Sequence, residues 1–483
     1  MEKTLLITYF GSLCVLFAFG LHGLVMIYYY HKTQKIAHEP QLQEGELPVV
    51  TVQLPVFNEM YVVERLVRAV CEMEYPQEKL EIQLLDDSTD ETFEISRTIV
   101  AEFSALGFDI KHIHRTDRSG YKAGALKEGL EVARGEFIAI FDADFVPKKE
   151  FLLKTVPYFC DAEVGMVQTR WEHLNEEYSF LTRAQALALD GHFVIEQQIR
   201  HKAGFFINFN GTAGVWRKAT IVDAGNWHSD TLAEDLDLSY RSQLRGWRFV
   251  FLNDVTSPAE LPADINSLKT QQFRWTKGAV ETAKKLLPSV WKSNLSFKHK
   301  LECTVHLTSN IVFPFILLTA LLNVPLVILK NEVGGYDAFF SVMSIFVLAS
   351  ISSFLFYMYA QRAIHLDWRR RLLLFPVFMA GSMGFAVNNS KAVFEAIIGK
   401  KSEFKRTPKF HIEAQDDQWR KKKYVQKRLS WPVFVEIALA LYFVFGIATS
   451  ISYLEIAAIP FQLMFLMGFG TVGVLSLRHA FGR

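Results

Sequence analysis

Four short stretches combine acids, amides, an arginine and a tryptophan in patterns that could act on a ligand. In FDADF, residues 141–145, Asp142 and Asp144 are one residue apart directly after an apolar run. Such a pair can present oxygen to a hard cation, and Mg²⁺ or Mn²⁺ is commonly held by one or two carboxylates together with substrate phosphates. In LLDDSTD, residues 84–90, Asp87 stands at the predicted carboxyl end of a strand. Ligands collect at that edge in open α/β sheets, although Asp and Ser equally suit a solvated turn. LAEDLDL, residues 232–238, puts Glu234 and Asp235 at the start of an amphipathic stretch. One carboxylate there could remove a proton from a weakly nucleophilic hydroxyl, or the cluster could cap a helix dipole. QQFRW, residues 271–275, offers Trp275 as a flat face for a sugar ring and Arg274 as a phosphate clamp. The same two residues would also suit a membrane interface.

The elements that must position these groups follow from periodicity. The runs at 49–54, 81–85, 109–114 and 136–141 predict strands, and 59–72 and 91–105 predict helices between them. That alternation argues for an α/β domain over 45–300, with a mostly parallel sheet wrapped by helices. Residues 5–30 are an apolar run long enough to span a bilayer and too long for a signal peptide, so residues 1–32 are expected to be an anchor. The runs at 311–329 and 338–360 predict two membrane helices within 301–360, and those at 433–453 and 456–477 two more within 431–483. Between them, 361–430 is expected to hold an interfacial or re-entrant helix near 372–387 and a basic loop.

Arg362, Arg369, Arg370, Arg371 and the many Lys and Arg of 400–428 contrast with the 330–337 connection, which has Lys330 against Glu332 and Asp337. The positive-inside rule then places both basic loops and the 45–300 domain in the cytosol. Five spans satisfy this, with the N-terminus outside and Arg483 inside, provided that 372–397 does not cross. A net charge of +1 gives no global field for nucleic acid. The scattered Cys14, Cys71, Cys160 and Cys303 form no zinc or disulfide pattern.

The four motifs in this order resemble those of the family 2 glycosyltransferases with the GT-A fold, in the branch containing cellulose, chitin and hyaluronan synthases. The stretches QLPVFNE, LLDDSTD, GYKAGALKEGL, FDADFVP, FNGTAGVWR and QQFRW look closest to the cellulose-synthase-like mannan and glucan synthases. The resemblance covers 48–290 densely and implies a GT-A domain inserted between membrane helices. By that resemblance Pro55, Phe57, Asn58 and Glu59 line the nucleotide pocket, with Asp87 beside the base or ribose. Lys122 lies near the diphosphate, and Asp142 and Asp144 hold the donor with Mg²⁺ or Mn²⁺. Asn210, Gly211 and Thr212 cradle the acceptor end, Gln271 and Arg274 contact acceptor and diphosphate, and Trp275 floors the acceptor sugar. Asp235, with Glu234 beside it, is the general base. Gln168 to Trp171 match a stretch that follows a strand. Phe404, Arg406, Thr407 and Lys409 match the gating segment F-x-V-T-x-K, with Arg406 in the place of Val.

The implied activity is a hexosyl transfer that polymerises a β-linked, β-1,4 glucan or mannan and extrudes it through the protein's own helices. UDP-glucose is the first donor expected and GDP-mannose the second. The implied setting is a multi-pass protein of the plasma or inner membrane, or of the Golgi in a eukaryote. Two rivals stand beside this reading: transfer to a ceramide or polyprenyl-phosphate acceptor, and a degenerate, non-catalytic membrane subunit. The growing polysaccharide and the lipid bilayer are the other partners implied, and accessory export subunits are left open.

Overall fold

The computed structural model describes residues 2–33, 47–425 and 429–481. The expected domain start at 45, the basic Lys427 and Arg428, and the terminal Arg483 lie outside these residues. The four runs read as strands are β1 (Val50–Val56), β2 (Leu80–Asp86), β3 (Asp109–His114) and β4 (Phe137–Ile140). β2 pairs parallel with β1 and with β3, and β4 pairs parallel with β1. Three further strands, β5 (Val164–His173), β6 (Gly214–Arg217) and β7 (Arg248–Ala259), complete one sheet in the order β3-β2-β1-β4-β6-β5-β7. β6 runs antiparallel to β4 and β5, and β7 is parallel to β5. The sheet is thus mostly parallel, as in the GT-A fold. Gln168 to Trp171, expected after a strand, lie inside β5, because β7 continues alongside and extends the ladder as far as His173 and Ala259.

A parallel sheet must be covered on both faces. Val50, Val52, Leu54 and Val56 of β1 pack against Val63, Leu66 and Val67 of the helix Val63–Cys71. Each such side chain contributes about 1.5–3 kcal/mol when fully buried. On the opposite face of β1, Thr51 donates to Glu81 at 2.5 Å and Gln53 to Gln83 at 3.0 Å, which ties polar side chains together across the two buried strands. The common direction of β1, β2 and β4 opens their carboxyl ends on one edge. Pro55 to Glu59, Asp87, Asp142 and Asp144 all lie there.

Among the described residues five helices are long and apolar enough to cross a membrane: Glu2–Thr33, Phe297–Glu332, Ala338–Ile364, Trp431–Ser452 and Ile456–Ala480. The predicted interfacial piece falls on the helices Trp368–Gly384 and Ala386–Ile397, which meet at a bend of 44°. The helix Ile265–Lys292 joins the two parts of the molecule. Asp264 caps it by accepting from the backbone N–H groups of Asn266 and Ser267. One turn further on, Lys269 donates to Glu436 of the helix Trp431–Ser452 at 2.7 Å. A charge in apolar surroundings persists only when paired. Glu436, which looks isolated in the sequence, is therefore half of an ion pair that fastens the sheet domain to the apolar helices.

Candidate active site

A cavity opens over the carboxyl edge of the sheet and gathers most of the residues singled out by sequence. The sheet edge supplies Pro55, Phe57 and Glu59 after β1, Asp87 after β2, and Asp142 and Asp144 after β4. Lys122 comes from the helix Tyr121–Val132, Asn210 and Gly211 from the loop before β6, and Glu234 and Asp235 from the first turn of the helix Glu234–Leu244. Gln271, Arg274 and Trp275 stand on one face of the helix Ile265–Lys292, as their i, i+3, i+4 spacing requires. Phe404, Arg406, Thr407 and Lys409 reach the wall from a segment without regular structure.

Asn58 and Thr212 are not on the wall. Asn58 accepts from the backbone N–H of Thr89 at 2.8 Å and so ties the β1 loop to the β2 loop. Thr212 accepts from the backbone N–H of Asp142 at 2.9 Å and fixes the first aspartate. Gln168 donates to the carbonyls of Thr212 and Ala213 and accepts from the backbone N–H of Asn210, bracing the loop before β6 from β5.

Charge is dense in this cavity and is compensated locally. Lys122 donates to Asp142 at 2.5 Å and to the Gly211 carbonyl at 2.8 Å. Burial alone would lower the Lys122 pKa, but Asp142, Glu234 and Asp235 outweigh it and raise it. Lys409 donates to Asp144 at 2.5 Å, and Arg406 pairs with Glu59 at 2.6 Å. Burial pushes the Glu59 carboxyl up to about 7, with Arg406 and Lys409 opposing and Asp144 adding to the rise. Burial likewise raises Asp235 well above the ordinary carboxylate range, with the neighbouring Glu234 charge adding and Lys122 opposing. A carboxylate raised in this way suits proton removal near neutral pH.

Two glycines set the spacing. Gly211 has φ +82°, and a Cβ there would lie 3.0 Å from an Asp235 carboxylate oxygen. Gly278 lets the helix Ile265–Lys292 rest on the turn before Glu234, since a Cβ there would stand 2.7 Å from that of Ala233. The base candidate and the Gln271–Trp275 face are thereby locked together.

The model of the family described as glycosyltransferase like family 2 matches residues 48–278. Glucomannan 4-beta-mannosyltransferase 9 of Arabidopsis thaliana is 30% identical over 476 residues, covering 93% of this chain and 85% of its own. The chain belongs to the family 2 glycosyltransferases. Glucomannan 4-beta-mannosyltransferase 1 of Oryza sativa subsp. japonica is 40% identical over 257 residues, 52% of this chain and 49% of its own. In matches of that kind, the chain spans about half the length of its relative. Among solved structures, the mannosyltransferase PcManGT from Pyrobaculum calidifontis, in complex with GDP-Man and Mn²⁺, superposes with a TM-score of 0.57 at 18% identity. That match covers 82% of this chain and 100% of the other, and it shows the shared fold.

In this family 2 glycosyltransferase, the donor set at the end of β4 fits a hard divalent cation. Asp142 and Asp144 are oxygen donors one residue apart on the cavity wall, and each has an oxygen that no lysine engages. Two His and Asp clusters elsewhere are already satisfied differently. Asp86 accepts from His112 at 2.8 Å, and Lys285 sits within 2.9 Å of both Asp230 and Asp237. Sequence reasoning missed Arg118 and Glu260, both on the cavity wall. Glu260, buried at the end of β7, accepts from the backbone N–H of Phe410 at 2.8 Å and so receives the segment carrying Lys409. No local pattern marks it. Arg118 lies two residues before GYKAGAL, and extending that motif upstream would have found it.

Proposed function

We propose that this chain transfers mannose from GDP-mannose to the 4-hydroxyl of a growing β-linked polysaccharide, by successive inverting displacements at the cytoplasmic face of a membrane. The observation that carries the reading is the convergence, on one cavity, of an acid raised by burial, a pair of aspartates one residue apart and the Gln271–Trp275 helix face. GDP-mannose takes precedence over the UDP-glucose favoured by sequence alone. The names of the 4-beta-mannosyltransferase relatives and the donor bound to the structural neighbour support that order.

Asp235 accepts the proton of the acceptor hydroxyl as that oxygen attacks the anomeric carbon. Trp275 carries the acceptor's terminal sugar on its face, and Gln271 and Asn210 orient its hydroxyls. Among the described residues Arg274 has no carboxylate partner, and its guanidinium is therefore available to the departing diphosphate. A divalent cation on Asp142 and Asp144 would supply further stabilisation of that leaving group. Positioning and preorganised charge then account for most of the rate. The five apolar helices exceed what anchoring needs and support export of the polymer beside the site.

The test is a donor screen on the purified full chain in lipid nanodiscs with Mn²⁺, followed by linkage analysis of the product. A long 4-linked β-mannan from GDP-mannose is expected. A product ending at one sugar on a lipid would move the reading to a lipid acceptor, and no transfer from any nucleotide-sugar would sink it.

A further inference from the structure

We propose that Arg118 reads the nucleobase of the donor and that its guanidinium fork selects guanine over uracil. This inference rests on the reading of the cavity as a sugar-nucleotide site.

Five Lys and Arg side chains stand on the cavity wall. Three are committed to carboxylates: Lys122 to Asp142, Arg406 to Glu59 and Lys409 to Asp144. Arg118 and Arg274 make neither a side-chain hydrogen bond nor an ion pair among the described residues. Each instead lies over a phenyl ring, Arg118 at 3.4 Å from the centre of Phe57 and Arg274 at 4.6 Å from that of Phe404. Tyr121 flanks Arg118 at 5.0 Å and stacks on Phe404 at 5.8 Å and 27°. Phe57, Arg118, Tyr121, Phe404 and Arg274 therefore form a row of flat groups along the cavity, with a free guanidinium near each end.

The two ends differ in chemistry. Arg274 belongs to the helix that also carries Gln271 and Trp275, where sugar transfer takes place. Arg118 lies at the other end, against Phe57, where the flat faces suit a base. Asp87, the acid whose charge acts most on Arg118, is taken bidentately by Arg115 at 2.7 and 2.6 Å. The Arg118 Nε is buried and has no hydrogen-bond partner among the described residues. An unsatisfied buried donor is costly, and a ligand that supplies acceptors removes that cost. Stacking on Phe57 fixes the plane of the guanidinium, so the directions of its donors are set before a ligand arrives. Guanine presents O6 and N7 side by side on one edge, the pair that an arginine fork matches, whereas uracil has no such pair of adjacent acceptors.

Calorimetric titration of the full chain with GDP, UDP and guanosine, in the presence of Mn²⁺, tests this on the wild type, Arg118→Ala and Arg118→Lys. Wild type should favour GDP. Both variants should lose about 5- to 150-fold in affinity for GDP and for guanosine, while UDP binding changes little. Lysine keeps the charge but not the fork, so its failure to rescue is part of the expectation. Equal losses for GDP and UDP with guanosine unaffected would assign Arg118 to the diphosphate and overturn the inference, as would unchanged GDP binding. A wild-type protein that prefers UDP would overturn the base reading alone and leave a transferase standing. Wild type binding neither nucleotide would sink the reading of the cavity and the inference with it.

Discussion

Asp142 and Asp144 leave the end of a four-residue strand buried on every side, whereas Lys409 and Arg406 reach the same cavity from a segment, 401–425, with no regular structure. The aspartates are held through the backbone: the Asp142 N–H donates to Thr212, and the Asp144 carbonyl accepts from Glu260. The basic segment is held by side chains. Lys409 and Arg406 grip Asp144 and Glu59, and a small apolar cluster of Phe410, Ile412 and Trp419 docks beside Ala263. The sheet edge therefore keeps its geometry whatever covers it, while the cover depends on charges for which the proposed nucleotide and its cation would compete. Rigid chemistry and electrostatic closure are separate parts of the site, and substitutions should separate them.

The largest effects belong to the rigid side. Asp235→Asn should reduce transfer by about 10²–10⁴-fold and leave GDP binding unchanged, because it removes the proton acceptor but no donor contact. Radiolabel incorporation and calorimetry on the same preparation check this, and normal turnover would remove Asp235 from the mechanism. Trp275→Ala comes next. It should raise the acceptor KM by about tenfold or more, in keeping with the roughly 0.5–1.5 kcal/mol of an aromatic contact plus the buried area lost, with the donor KM nearly constant. Equal losses in both constants would place Trp275 elsewhere.

A smaller effect concerns pH. As the proposed proton acceptor Asp235 must be ionised, so its raised pKa should put the acid limb of kcat/KM above the ordinary carboxylate range, with activity falling as pH drops through that raised value. Glu234 contributes to the rise through its charge. Glu234→Gln should therefore move the limb to lower pH, and a limb that stays in place or moves up would deny the coupling.

The same division explains what could be read from the sequence. β1 to β4 were legible because alternating apolar runs bounded by turns reveal strands one at a time, and the spans because length and apolarity suffice. β5 to β7 were not. β6 has four residues, and β5 and β7 define each other only by pairing across about 80 positions of chain. Glu260 joins the site through contacts that no local pattern encodes, whereas Arg118 stands just upstream of GYKAGAL and is reached by extending that motif. Gln168 was noticed but misplaced, since its work is to brace the 210–213 loop from inside a strand. Arg406 looked like a defect in a motif that expects Val, and Glu59, almost 350 residues earlier, accounts for it.

Arg406→Val tests how much that last pair matters, and the expected effect is the smallest. Removing one partner of a buried ion pair ordinarily costs about 3–5 kcal/mol, because a charge is left stranded. Glu59 has an escape: its carboxyl already titrates at about 7, and losing Arg406 pushes it higher still. Protonating a group of that pKa at pH 7.5 costs roughly 0.7 kcal/mol, at about 1.4 kcal/mol per unit. Lys409 still holds Asp144 in the variant. The cover should therefore weaken by no more than about 1 kcal/mol, or about fivefold in donor KM with kcat kept. The deficit should shrink well below pH 7, where Glu59 is neutral in both proteins, and grow toward pH 8.5, where the wild type has Arg406 as well as Lys409 to compensate its charge and the variant has Lys409 alone. A deficit beyond about 100-fold, or one independent of pH, would mean that Arg406 belongs to the rigid side of the site and not to its cover.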